Sequence, residues 1–223
     1  MNPPSPHRSC LIAAHERFLA EQNEAWFEAR VRQVYLPGTL QAILNRGDVP
    51  DRVAAAAALG LVGDCESLAD LGPALSDPDR DVRSTADTAF QELLVRSLGV
   101  RERSRLRQVM RLNELGEYAA ALAPALILAD QSEPHAEVHH QLAICWYGLD
   151  QHDAATVAFL DCVARCRHHY QAWLGLARCR VAMGDLNGAI EVLNRALEVS
   201  PDLEAAKTEV QVLRRKARQD SAE

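Results

Sequence analysis

The sequence predicts an all-α chain assembled from repeated helix pairs, and three observations carry that reading. Between Glu102 and Leu203 the chain repeats every 34 residues without a gap. Gly116, Asp150 and Gly184 fall in register, followed by Tyr118, His152 and Leu186, and then by Ala121, Ala155 and Ala189. Between Leu36 and Leu98 a second periodicity with an offset of 31 brings Arg52 onto Arg83, Ala55 onto Ala86, Ala58 onto Ala89, Leu59 onto Phe90 and Val62 onto Leu93. Aromatic residues are 5% of the chain, and Ala and Leu outweigh runs of Val, Ile or Thr, a bias toward helix over strand. Fixed periods of this length mark an array of small units, each burying its apolar face on a neighbour.

Residues 1–8 are proline-rich and read as disordered. From Ser9 an amphipathic pattern runs through Leu11, Ile12, Phe18, Leu19, Trp26, Phe27, Val31 and Val34; over 9–35 it predicts one long helix or a hairpin broken near Gln22. Its apolar face is expected to cover the open end of the first array of helix pairs. Over 36–98 each period supplies a first helix with Leu at i and i+4 (Leu40 and Leu44, then Leu71 and Leu75) and an Ala-rich second helix. The turn Asp77-Pro78 precedes an Asp-Val-Arg opening, where Asp acts as an N-cap acceptor and Ala permits close helix packing. These two periods resemble short HEAT repeats. Gly99 marks a seam before the second array.

The second array divides into copies at 102–135, 136–169 and 170–203. The third reads Trp173-x2-Leu176-Ala177, Gly184, Ala189-x3-Leu193, Ala196 and Pro201. The small side chain at Ala121, Ala155 and Ala189 is what lets a large residue of the first helix approach the second. The pattern resembles the tetratricopeptide repeat, and with the HEAT-like part it implies a right-handed α-solenoid. The middle copy keeps Leu142-Ala143-x2-Trp146 and Ala155-x3-Phe159 but has His139 where the family prefers Trp and Arg167 where it prefers Pro. The first copy departs most, with Arg105, Gln108 and Val109 at signature positions. It also places Pro124 inside its second helix, where loss of a hydrogen bond predicts a kink or a restart. Residues 204–219 read as a capping helix with Leu203, Val210 and Leu213 inward, and the tail 220–223 as frayed.

Bulk properties narrow the function. A net charge of −7 disfavours nucleic acid and anionic membrane as partners. Basic residues cluster at Arg96–Arg111 and Arg214–Arg218; the first run reads as a solvated face paired with nearby acids, with contact to phosphate or an acidic partner as the alternative, and no aromatics interleave with it to stack on bases. No stretch approaches the roughly 20 apolar residues of a spanning helix, and no signal-peptide core is evident. Cytoplasmic location is the default expectation, and the six cysteines, lying mostly in helical patterns, are expected as reduced thiols.

Resemblance to the tetratricopeptide family implies a concave groove lined by the first helix of each unit. Its positions fall on Arg103, Leu106, Met110 and Asn113; on Glu137, His140, Ile144 and Tyr147; and on Gln171, Leu174, Arg178 and Val181. This lining is apolar with basic edges and would suit an extended or helical peptide with apolar anchors and some acidic residues. The Lys and Asn that clamp a terminal carboxylate in chaperone-binding members are replaced by Leu106 and Met110, which argues against that specialisation. Cys162 and Cys166, with His168 and His169, offer zinc-type ligands, but zinc-ribbon spacing is missing and Cys162 fills a small-residue packing slot. No metal or other cofactor is expected. No phosphate loop, Gly-x-Ser-x-Gly or His-Glu-x2-His is present, so a catalytic role is not expected. The sequence points to an adaptor binding a protein or peptide partner, with self-association possible. A chaperone for a secreted or membrane-bound client is the alternative, and a metal or thiol enzyme the third reading.

Overall fold

The computed structural model describes residues 9–131 and 135–220. The expected disorder of residues 1–8 and the end of the polar tail lie outside the described residues. Among those described, the chain forms thirteen α-helices and no strand. Two compact units divide between Ser97 and Leu98.

The first unit contains α1 (Cys10–Glu21), α2 (Glu24–Val34), α3 (Pro37–Arg46), α4 (Val49–Val62), α5 (Leu68–Ala74) and α6 (Arg80–Arg96). The opening segment is a hairpin. Gln22 takes a left-handed conformation (φ 52°) and ends α1, while the Asn23 side chain caps α2 by accepting from Trp26 N–H. Both α1 and α2 pack on α4, α3 pairs with α4, α5 pairs with α6, and α4 packs along α6. Phe27, Leu40, Leu59, Leu71, Phe90 and Leu93 form the dry interior.

The offset of 31 reappears as a polar lattice. Asp48 and Asp79 cap α4 and α6. Arg52 Nη1 donates to Gly47 O at 3.1 Å, and its counterpart Arg83 Nη1 donates to Pro78 O at 3.0 Å. Arg52 also makes a two-pronged ion pair with Asp77 in the turn of the next pair, at 2.9 and 3.0 Å, a geometry that fixes spacing as well as charge. Arg96, at the end of α6, reaches back to the carbonyls of Gly60 and Leu61 at the end of α4.

The second unit contains α7 (Val100–Glu114), α8 (Tyr118–Gln131), α9 (Ala136–Gly148), α10 (His152–Arg165), α11 (Tyr170–Ala182), α12 (Leu186–Val199) and α13 (Glu204–Asp220). Helices pack neighbour to neighbour, and α7 also touches α9 as α9 touches α11. Three turns are superimposable in their bonding. Glu117 N–H, Gln151 N–H and Asp185 N–H each donate to the carbonyl five residues back at 2.9 Å, and Gly116, Asp150 and Gly184 each have a positive φ of 74°, 58° and 80°. This is the left-handed stop that ends many helices. Ala121, Ala155 and Ala189 are each fully buried.

Of the two outcomes expected at Pro124, the restart does not occur: helix α8 continues through Pro124 from Tyr118 to Gln131. Pro124 lies in the second turn, where its missing N–H removes a single bond near the helix start, and the packing of α8 on α7 and α9 holds the helix together.

Candidate functional site

The first helices of the three repeats, α7, α9 and α11, carry the groove positions. Arg103, Met110, Ile144, Tyr147, Gln171, Leu174 and Val181 are half-buried, and Arg178 is exposed. Leu106, Asn113 and His140 are buried, at 0%, 8% and 6% exposure. Leu174 and Val181 pack against a cluster of Ala177, Ala189, Leu193, Ala206, Val210 and Leu213, the last three from α13. The side chains left open on this face are chiefly Arg103, Met110, Ile144, Tyr147, Gln171 and Arg178, with the Tyr147 ring tilted at 45° to His152 at a centroid distance of 5.4 Å.

Behind this surface lies a polar network centred on Glu137, which is 4% exposed. Gln141 Nε2 donates to Glu137 Oε1 at 2.8 Å, His140 Nδ1 lies 3.2 Å from the same oxygen, and His169 Nε2 lies 2.9 Å from Oε2. Gln141 in turn accepts from Asn113 of α7, through its backbone carbonyl at 3.0 Å and its Oε1 at 2.9 Å, and Cys145 Sγ donates to Asn113 Oδ1 at 3.1 Å. One carboxylate thus links α9 to α7 on one side and to the start of α11 on the other. Burial alone would raise the pKa of Glu137, but His140 and His169 beside it outweigh that and hold it well below the usual carboxylate range. The pKa of His169 is also shifted downward, by its burial and by His140.

The oxygen and ring-nitrogen atoms of Glu137, His140 and His169 lie within 4.8 Å of one another, and two His with one carboxylate is a metal-binding ligand set. The hydrogen bonds argue against that use. His169 caps α11 by accepting from Ala172 N–H through Nδ1 at 3.2 Å, so a neutral ring carries its proton on Nε2 and points it at Glu137. A metal-bound imidazole needs the reverse, a lone pair facing the ion and an N–H facing outward. Cys162 and Cys166 stay outside this trio. Burial pushes the Cys162 thiol well up and the Cys166 thiol to about 11, which suppresses thiolate reactivity.

Glu137 was legible as a groove position, yet its burial and its network were not. The signal was present in part: Glu137, His140 and Gln141 stand at i, i+3 and i+4, one face of a helix otherwise almost free of charge.

Residues 161–211 match the family model of the tetratricopeptide repeat. That stretch covers the end of α10, the α11–α12 pair and part of α13, and with the all-helical architecture it fits a repeat protein of tetratricopeptide type. Such repeats support a protein-interaction scaffold in general. No curated protein matches the chain. No described helix is long and apolar enough to cross a membrane.

Proposed function

We propose that the chain is a non-catalytic adaptor that holds a peptide or helix of a protein partner against the first helices of its tetratricopeptide units. The observation that carries this reading is the run of partly open side chains on α7, α9 and α11: apolar Met110, Ile144 and Tyr147 edged by Arg103 and Arg178. Apolar anchors with a cationic rim favour a segment whose own apolar residues are flanked by Asp or Glu. The helix pairs of 36–98 act in this reading as HEAT-like units.

The test is capture of partners from native extract by the full chain and by a double variant, Ile144→Asp with Tyr147→Asp. Two carboxylates in the apolar centre should abolish capture of the partner while circular dichroism shows unchanged helicity. Undiminished capture by the variant would place the site elsewhere.

A further inference from the structure

The first unit contains a cleft that the proposed adaptor role does not use. Its volume is about 460 Å³, within the range of ligand-binding pockets. The floor is the half-buried face of α4 at Val53 and Ala57, with Gly60 and Leu61 at its far end; one wall is α1 with His15, Phe18 and Leu19, and the other is α6. Phe18 is half-buried and Leu19 is 54% exposed, so apolar surface faces an open trough.

The charges are arranged at its two ends. Asp81 stands at the start of α6 and Glu92 eleven positions later, both lining the same cleft, and Glu24 of α2 lines it beside Glu92. Eleven residues of helix rise about 16 Å. Ser84, Thr85 and Thr88 fill the interval. Asp81, Glu24 and Glu92 make no ion pair within the described chain. Arg96 acts on Glu92 and Glu24 through charge, while its guanidinium hydrogen bonds go to the Gly60 and Leu61 carbonyls. Burial, and then the neighbouring Glu24, raise the pKa of Glu92 against the opposing pull of Arg96. Residues 1–97 carry nine Lys or Arg against fourteen Asp or Glu.

His15 is 8% exposed, lines the cleft between Phe18 and Phe27, and makes no hydrogen bond to another described residue, so its imidazole is available to a polar group of an occupant.

We infer that this cleft seats a basic amphipathic helical segment of a partner protein, its small apolar residues on Val53, Ala57 and Phe18 and a Lys or Arg at each end on Asp81 and on Glu92 with Glu24. The trough between two helices suits a third. The span between the acids exceeds the reach of one cationic side chain, and no carboxylate lines the interval between them for the inner amines of a polyamine to pair with. The occupant meets His15 with a polar group near its middle.

The test uses the full chain and a fluorescein-labelled peptide of about eleven residues, alanine- and leucine-rich, with one serine at its centre and lysine at both ends, read by fluorescence anisotropy. Saturable binding is expected, weakened about tenfold by Asp81→Lys and by Glu92→Lys separately, because each reversal replaces attraction by repulsion at one end of the peptide. Binding should be unchanged in the Ile144→Asp, Tyr147→Asp variant, which separates this site from the groove of the second unit. Asp81→Asn and Glu92→Gln, which keep size, should weaken binding in the same order. The inference is overturned by absence of binding, by equal binding of a peptide with glutamate at its ends, by indifference to all four substitutions, or by equally strong competition from spermine, which would mean simple attraction of cations.

Discussion

Asp150 is the residue at which the repeat departs from its own rule. Its counterparts Gly116 and Gly184 reach the left-handed turn without a side chain, whereas Asp150 adopts φ 58° with one, at a cost of about 1 kcal/mol. Asp150→Gly should therefore stabilise the chain, by about 0.5 kcal/mol once the greater freedom of glycine in the unfolded state is subtracted; urea denaturation measures it, and destabilisation would deny the strain. Titration acts at the same scale. Burial pushes His135 down to about 4 from 6.5, and His169 also moves down. The unfolded chain then takes up protons first, so stability is lost as the pH falls from 6.5 toward 4. Glu137, depressed from 4.5, contributes stability that is present above 4.5 and declines below it. Melting temperature measured from pH 7 to pH 3.5 should fall across both windows. Glu137→Gln should cost about 3 kcal/mol at pH 7, since its amide meets ring and amide donors with one oxygen where there were two, and its decline below pH 4.5 should be shallower.

Between elements, closeness of approach decides the outcome. A Cβ built on Gly60 would stand 2.7 Å from Ala89 Cβ and 3.0 Å from its Cα, so α4 and α6 touch almost backbone to backbone. Gly60→Ala should separate them and cost about 1–3 kcal/mol, together with some of the grip of Arg96 on the end of α4; chemical denaturation of the variant checks this. The helix pairs of the second unit obey the same constraint through Ala121, Ala155 and Ala189. Those positions were legible because a steric requirement recurs at fixed phase. Continuity of α8 through Pro124 was not, since it depends on support from α7 and α9.

For the whole chain, burial sorts the thiols. Cys145, Cys162, Cys166 and Cys179 are buried and Cys10 and Cys65 exposed. Burial also pushes Cys145 up to about 11, which suppresses the reactive thiolate. A disulfide-exchange reagent at pH 8 should modify two thiols rapidly and the other four only at the rate of opening or on adding denaturant. Rapid reaction of all six would contradict this packing.

The helical class, the turn positions at Gly116, Asp150 and Gly184, and the offset of 31 that reappears in the Arg52 and Arg83 contacts could be read from the residues alone, because each is a local or strictly periodic requirement. The tertiary structure decided which groove positions stay reachable. Leu106 and His140 share the phase of Leu174, and Asn113 that of Tyr147 and Val181, yet Leu106, His140 and Asn113 are covered, and Glu137 becomes the centre of a network through His169, 32 residues away. It also decided that α1 and α6 flank α4 with acids at both ends of the gap. Burial at a given phase depends on what a distant segment brings against it, and no periodicity within one repeat encodes that.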